Sequence, residues 1–169
     1  MPYDPTIHHR RSIRLRDYDY RAAGAYFVTI VTHQRLCLFG QVDRGAMVLN
    51  DLGFVVAEQW RRLTVHYPYA AADSWVVMPN HCHGIVMLSD VSQAAGRKAG
   101  LPEVIRGFKS FSAQRINSLR GSSGSPVWQR NYYERIIRNE AELRGVREYI
   151  AANPAGWESD IENPQHRPQ

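Results

Sequence analysis

The chain has 169 residues, of which 44% are hydrophobic and 22% are charged, and its formal net charge at pH 7 is +5. This length and composition predict one globular domain with its own core, and the positive charge favours an anionic partner such as a nucleic acid. The two cysteines argue against a disulfide framework, and the sequence shows neither a signal peptide nor an apolar stretch of membrane-spanning length. We therefore expect a cytoplasmic protein without a membrane anchor.

Residues 1–21 form a polar arm in which arginines and tyrosines are interleaved. An arm of this composition can follow a phosphate backbone and stack on bases. It could equally be a solvated leader, and charge alone does not separate the two interpretations.

The next part of the chain predicts a strand, a helix and two further strands. β-branched and aromatic residues fill 25–32, which is typical of a first strand. Asn50 is a candidate N-cap, and apolar residues recur at helical spacing from Asp51 to about Val65. Two apolar runs, 72–78 and 81–88, lie on either side of Pro79 and Asn80 and predict a pair of strands.

Residues 89–100 are small and polar and predict a flexible loop, after which a second helix begins near Leu101. Between Arg106 and Arg120 this helix carries no acidic residue, which favours a phosphate-contacting face, with simple solubility as the alternative. A last strand is expected over 132–137. A final helix is expected from Glu140 to about Ala152, capped by Asn139, and residues 155–169 form a polar tail.

The predicted order is strand, helix, strand, strand, helix, strand, helix. The first six elements form a split βαβ repeat, which predicts the α+β class and a ferredoxin-like βαββαβ antiparallel sheet with helices on one face. The seventh element is a C-terminal helix added to that sheet.

Two pairs of residues could carry chemistry. Side chains alternate along a strand, so His81 and His83 share a face and could hold one divalent metal ion. Tyr149 and Asn153 are four residues apart and are therefore neighbours on the final helix. The alternatives are two ordinary strand-end histidines, a packing tyrosine and an asparagine that ends the helix.

Taken together, four segments resemble the REP-associated tyrosine transposases, relatives of the single-tyrosine HUH transposases that move insertion sequences as single-stranded DNA. These segments are Met78–His83, Trp128–Glu134, Ile137–Arg138 and Tyr149–Pro154. HUH denotes histidine, a hydrophobic residue and histidine, and the middle residue here is Cys82. The resemblance extends from about Arg14 to Pro154 and implies a ferredoxin-like core with the tyrosine on a following helix.

The resemblance also implies the roles of the site residues. His81 and His83 match the metal-binding pair, Tyr149 matches the nucleophile, and Asn153 matches a third metal ligand, where relatives often carry glutamine. Tyr132 and Tyr133 are competing tyrosines near the same end of the motif. The implied cofactor is Mg²⁺ or Mn²⁺, with no nucleotide cofactor.

The implied activity is cleavage and joining of single-stranded DNA near palindromic hairpins through a 5′-phosphotyrosine, in DNA transposition or in mobilisation of REP elements. The catalytic domain would span 22–154, in a protein that associates with the nucleoid and acts as a monomer, with a homodimer as the alternative. A replication-initiator or relaxase-type HUH nuclease and a non-catalytic single-stranded nucleic-acid-binding module are the competing functions. The residues expected to contact DNA are basic: Arg10, Arg11, Arg14, Arg16, Arg106, Lys109, Arg120, Arg130, Arg135 and Arg138.

Overall fold

The computed structural model describes residues 18–90 and 100–166. The arginines of the arm, Arg10 to Arg16, and most of the predicted flexible loop therefore lie outside the described residues. The elements in chain order are β1 (Gly24–Val31), β2 (Gly40–Asp43), β3 (Ala46–Leu49), α1 (Asp51–Arg61), α2 (Leu63–His66), β4 (Ala70–Val77), β5 (His81–Leu88), α3 (Leu101–Leu119), β6 (Tyr133–Ile137) and α4 (Glu140–Ala152). Short 3₁₀ segments lie at His33–Arg35, Pro154–Ser159 and Pro164–His166.

Four of the strands form one antiparallel sheet in the order β4-β5-β1-β6. The strand β1 pairs with β5 on one side and with β6 on the other, and β4 pairs with β5. This order arises because two βαβ units, β1-α1-β4 and β5-α3-β6, interleave in one sheet. The prediction of an α+β fold built on a four-stranded antiparallel sheet is confirmed.

The two faces of the sheet carry different helices. Tyr26, Val28 and Ile30 belong to the larger core, which also contains buried residues of α1 and α3. Phe27 and Ile85 point to the other face, where Leu143 and Ile150 of α4 cover them. His81 and His83 follow the parity of Ile85, so the histidine pair lies on the α4 face, whereas Cys82 belongs to the larger core.

The structure also contains a hairpin, β2-β3, that was not predicted from the sequence. Its strands are joined by Arg44 and Gly45, whose φ angles are 49° and 75°. Two consecutive positive φ angles are typical of a type I′ turn. The usual sequence signal for this turn is Asn-Gly or Asp-Gly. Here the first position is Arg44, so the sequence lacks the usual signal.

The first helix is shorter than predicted. The helix α1 ends at Arg61, and α2 begins two residues later at Leu63. The apolar spacing runs through this break because Leu63 is buried in the same core as Trp60. No helix in 18–90 or 100–166 has the length and apolar character that a membrane crossing requires.

Gly84 on β5 is required by close packing, and its replacement provides a test of the fold. A Cβ atom at this position would lie 2.5 Å from Cη2 of the fully buried Trp60 indole. We expect Gly84→Ala to lower the free energy of unfolding by about 1–3 kcal/mol, because the core would be overpacked. Urea denaturation monitored by circular dichroism measures this change.

Gly145→Ala is the matched control, because a Cβ atom at Gly145 would have no neighbour within 4 Å. This residue lies within α4, where alanine is a better helix former by about 1 kcal/mol. Equal destabilisation by both substitutions would contradict the packing argument.

Candidate active site

The histidine pair lies at the start of β5, where this strand pairs with the end of β1. His81 lies opposite Val31 and His83 lies opposite Thr29. Both imidazoles are buried, with 0% and 4% of their surface exposed, and their Nε2 atoms are 3.1 Å apart. The Nδ1 atoms are engaged elsewhere, at 2.8 Å from Asn80 Oδ1 and 2.8 Å from Thr29 Oγ1 respectively. The two Nε2 atoms are therefore the ones directed towards a common point.

Burial keeps both imidazoles neutral at physiological pH. It lowers the pKa of His81 to about 4, and it lowers the pKa of His83 to about 3, with the neighbouring His81 as a second cause. A neutral imidazole retains the lone pair that a metal ligand needs. The pair is therefore suited to bind a cation at neutral pH.

The same pKa shifts predict that acid weakens the fold. In the unfolded chain both histidines take up protons near pH 6.5, whereas in the folded protein they do so only near pH 4 and 3. Because the unfolded state binds more protons in this window, the free energy of unfolding falls as the pH drops from about 6.5 towards 4. Each histidine contributes at most about 1.4 kcal/mol per pH unit to this fall in the free energy of unfolding.

Urea titrations at several pH values, with chelator present, measure this slope. The variant His81→Gln/His83→Gln is the control, since carboxyl groups also contribute to acid unfolding. It should show a shallower slope between pH 6.5 and 4 than the wild type. An identical slope in both proteins would show that the pair does not titrate as described.

Helix α4 brings a tyrosine to this pair. The side chain of Asn139 caps the helix by accepting a hydrogen bond from the Glu142 amide, and Leu143 and Ile150 bury one face against the sheet. Tyr149 lies half-exposed on the adjoining face, with its hydroxyl 3.4 Å from His83 Nε2. Burial raises the pKa of this phenol, and the Asp160 carboxylate raises it further.

The competing tyrosines have other neighbours than the histidine pair. The ring of Tyr132 lies 5.4 Å from the Lys109 ammonium, and the ring of Tyr133 meets the edge of Phe27. Among the described tyrosines, Tyr149 is the one whose hydroxyl contacts the histidine pair.

Asn153 directly follows α4 and is buried, with 7% of its surface exposed. Its Oδ1 atom is buried without a hydrogen-bond partner among the described residues. The Asn153 amide is nevertheless near enough to His81 and Tyr149 for polar interactions with both. These interactions raise the pKa of His81 and lower the pKa of Tyr149, in each case against the larger effect of burial. A buried carbonyl oxygen without a donor is costly unless a cation or a water molecule satisfies it.

Asp160 is a site residue that the sequence analysis did not identify. The chain turns back after α4 through the 3₁₀ segment Pro154–Ser159 and places Asp160 Oδ2 3.7 Å from His81 Nε2. One ligand atom from each of His81, His83 and Asp160 lies within 4.8 Å of the others. A partly buried ion pair between Glu162 and Arg35, 2.8 Å long, anchors this returning segment. The described part of the predicted tail, residues 155–166, thus places a carboxylate at the site.

These donors fit a divalent cation. Two ligands at about 2.1 Å from one ion and roughly at right angles are about 3.0 Å apart, close to the Nε2–Nε2 separation. Two imidazole nitrogens, a carboxylate and an amide oxygen form a mixed set that Mn²⁺ accepts readily, whereas Mg²⁺ prefers oxygen ligands. The arrangement supports a metal site without determining which metal binds.

The predicted basic residues do not all gather at this site. The exposed residues Arg106 and Arg130 lie on the α3 side of the sheet, away from the histidines. The Lys109 ammonium donates hydrogen bonds to the backbone carbonyls of residues 129, 130 and 131, and burial lowers its pKa to about 8. It therefore holds a loop in place, which the charge pattern alone did not indicate.

Arg120 donates a hydrogen bond to Asn117 on its own helix, and Arg138 lies exposed just after β6. Arg135 is the predicted cation that lines the cavity beside Tyr149, together with Phe27 and Tyr133. This cavity has a volume of about 380 Å³. The Glu142 carboxylate lines the same cavity and lies 3.7 Å from the Arg135 guanidinium, so an anionic strand entering it would meet this ion pair next to the tyrosine.

The chain has close relatives among known proteins, although no protein-family model matches it. An uncharacterized protein of Haemophilus influenzae is 40% identical over 174 residues, covering 94% of this chain and 95% of that protein. A second protein of the same organism is named "Putative REP-associated tyrosine transposase". It is 26% identical over 138 residues, which are 80% of this chain and 73% of that protein.

The fold has a counterpart among solved structures. A REP-associated tyrosine transposase bound to a REP hairpin superposes with a TM-score of 0.58 at 22% identity, over 85% of this chain and 73% of that one. This chain carries an HUH-like histidine pair, His81 and His83, on its sheet. The chain is thus similar in sequence to a putative REP-associated tyrosine transposase and shares the fold of a solved one.

Proposed function

We propose that the protein is a metal-dependent single-stranded DNA endonuclease and strand transferase. It cuts DNA near palindromic hairpins and forms a 5′-phosphotyrosine intermediate. The observation that carries this proposal is the approach of the Tyr149 hydroxyl to 3.4 Å from His83 Nε2, in a cluster that also contains His81 and Asp160. A nucleophile beside a set of metal-binding donors is the arrangement that phosphoryl transfer requires.

Each residue has a distinct role in the proposed reaction. His81, His83 and Asn153 hold the cation, as the family resemblance implies, and Asp160 adds a carboxylate ligand. Bound there, Mg²⁺ or Mn²⁺ would neutralise charge on the scissile phosphate. The raised pKa of Tyr149 means that the phenol is protonated before DNA binds and must lose its proton during attack.

The covalent step is a phosphodiester exchange. The Tyr149 oxygen forms a bond to phosphorus, the bond from phosphorus to the 3′ oxygen breaks, and the leaving oxygen takes up a proton to become a free 3′-hydroxyl. Because one phosphodiester replaces another, the energy of the bond is retained. Strand joining by the reverse attack therefore needs no nucleotide cofactor.

The proposed substrate is a single-stranded palindromic hairpin, and the structural relative is bound to a REP hairpin. Arg135 beside Tyr149 is the proposed contact nearest the cut, and Arg106, Arg120, Arg130 and Arg138 are proposed contacts further away. Lys109 would act indirectly, through the loop whose carbonyls it holds. A ferredoxin-like core would carry all of these residues.

A monomer is the proposed active form. One chain supplies both halves of the site, since Tyr149 of α4 contacts His83 of the same chain. A second copy is therefore not needed to complete the cluster of nucleophile and ligands.

The proposal is tested by trapping the covalent intermediate. The protein is incubated with Mn²⁺ and single-stranded hairpins taken from the DNA that flanks its gene, and a denaturing gel separates free protein from the adduct. We expect a DNA-linked band that disappears when EDTA replaces Mn²⁺. Tight hairpin binding without any adduct would instead support a non-catalytic binding module.

A further inference from the structure

Asn80 is a fully buried residue that connects three parts of the site. Its Nδ2 atom donates one hydrogen bond to the backbone carbonyl of Arg35 at 3.1 Å and another to that of Glu162 at 2.8 Å. Its Oδ1 atom lies 2.8 Å from His81 Nδ1. The amide nitrogen and the amide oxygen of this side chain thus both have hydrogen-bond partners.

The two carbonyls fix the orientation of the Asn80 amide. A carbonyl oxygen can only accept hydrogen bonds, so the NH₂ group must face Arg35 and Glu162. The amide oxygen must then face His81, and because this oxygen also only accepts, His81 Nδ1 must carry the proton. A neutral imidazole carries one N–H, so His81 Nε2 presents its lone pair to the site.

The surroundings of His83 favour the other neutral tautomer, with the proton on Nε2. Its Nε2 atom is 3.1 Å from His81 Nε2, and two lone pairs at this distance repel each other. With no cation between them, the contact is favourable when His83 Nε2–H donates to the lone pair of His81. His83 Nδ1 then accepts a hydrogen bond from the Thr29 hydroxyl, 2.8 Å away.

If the two Nε2 atoms held a cation, the tautomer of His83 would reverse, whereas that of His81 would not. His83 must then present a lone pair at Nε2, so its single proton moves to Nδ1. The Thr29 hydroxyl can rotate to accept from Nδ1–H, because a hydroxyl group both donates and accepts. No proton is gained or lost, since His83 remains neutral throughout.

We propose that Asn80 and Thr29 are positioning residues that give the two histidines different tasks. Asn80 presets His81 as a ligand through its Nδ1–H tautomer, and Thr29 allows His83 to change tautomer when a cation binds. The part that concerns cation binding rests on the proposed function, whereas the tautomers of the cation-free protein do not.

Long-range ¹H–¹⁵N correlation NMR of the full chain, labelled with ¹⁵N-histidine, reads each tautomer directly. In EDTA at pH 7.5 we expect His81 to be protonated at Nδ1 and His83 at Nε2. Addition of diamagnetic Zn²⁺ as a probe should move the His83 proton to Nδ1 and leave His81 unchanged. Protonation of His81 at Nε2 in EDTA would overturn the assignment to Asn80, and an unchanged His83 in saturating Zn²⁺ would overturn the role of Thr29.

Two variants separate positioning from simple packing. Asn80→Ala removes the acceptor at Nδ1, and we expect it to mix the His81 tautomers and weaken Mn²⁺ binding by about 10- to 100-fold in EPR titrations. Asn50→Ala is the matched control, because the Asn50 side chain also bonds two backbone groups but lies at the start of α1. It should lower stability without changing either tautomer or the Mn²⁺ affinity.

The outcome distinguishes this inference from the proposed function. If His81 is protonated at Nδ1 in EDTA but no covalent adduct forms on hairpin DNA, the positioning by Asn80 stands and the endonuclease proposal fails. If adducts form while His81 is protonated at Nε2, the endonuclease proposal stands and the positioning by Asn80 fails. The wild-type spectra in EDTA give this answer even if Asn80→Ala does not fold.

Discussion

The Tyr149→Phe variant is expected to lose formation of the covalent adduct by more than about 10³-fold, to the level of the background, while its affinity for hairpin DNA changes little. The substitution removes one oxygen atom, and that oxygen is the atom 3.4 Å from His83 Nε2 that would attack the phosphate. The ring is retained, so its packing against Phe27, with the ring centroids 5.9 Å apart, is retained as well. Adduct formation is measured on denaturing gels, and affinity is measured by fluorescence anisotropy in EDTA.

Tyr132→Phe and Tyr133→Phe are the matched controls for this loss. Tyr132 directly precedes β6, and Tyr133 is the first residue of this strand. Each substitution removes a phenolic hydroxyl group, and we expect no effect of either on adduct formation. Adduct formation that persists in Tyr149→Phe and disappears in one of the controls would move the nucleophile to that tyrosine.

The second large effect is expected from the histidine pair. Replacing either His81 or His83 with alanine should abolish adduct formation and weaken Mn²⁺ binding by more than about 100-fold, because each supplies one of two closely spaced Nε2 donors. Isothermal titration calorimetry measures the Mn²⁺ affinity, and the adduct assay measures the chemistry.

His66→Ala is the control for this pair. His66 is exposed and its ring stacks on Phe111, away from the other two histidines. The control should bind Mn²⁺ and form adducts as the wild type does. Full activity of the wild type in EDTA would remove the metal from the mechanism altogether.

Sequence periodicity and capping residues predicted the elements that carry the site well. The strand β5 begins and ends at the predicted residues, 81 and 88, and α4 spans the predicted 140–152 with Asn139 at its cap. These elements were predictable because their signals are local: alternating faces, apolar spacing, and an N-cap followed by an acidic residue. The hairpin β2-β3 was missed because its turn has Arg-Gly instead of the usual Asn-Gly or Asp-Gly, and the break at Arg62 was missed because the apolar spacing continues to the buried Leu63.

The contents of the site were less predictable than its scaffold. His81, His83 and Tyr149 were found from a motif and a family resemblance, and the structure brings them together. Asp160 was not found, because a single carboxylate in a polar tail has no spacing signal. Contacts of Glu162 with Arg35 and Asn80 hold its segment beside His81. Likewise the role of Lys109 depends on three carbonyls that sequence does not bring together.

The central claim is that the oxygen of Tyr149 becomes linked to DNA. The most direct measurement is mass spectrometry of the peptide that retains a nucleotide after the trapped adduct is digested with nuclease and protease. We expect the added nucleotide mass to lie on Tyr149. A nucleotide on any other residue, or an adduct that forms equally in EDTA, would contradict it.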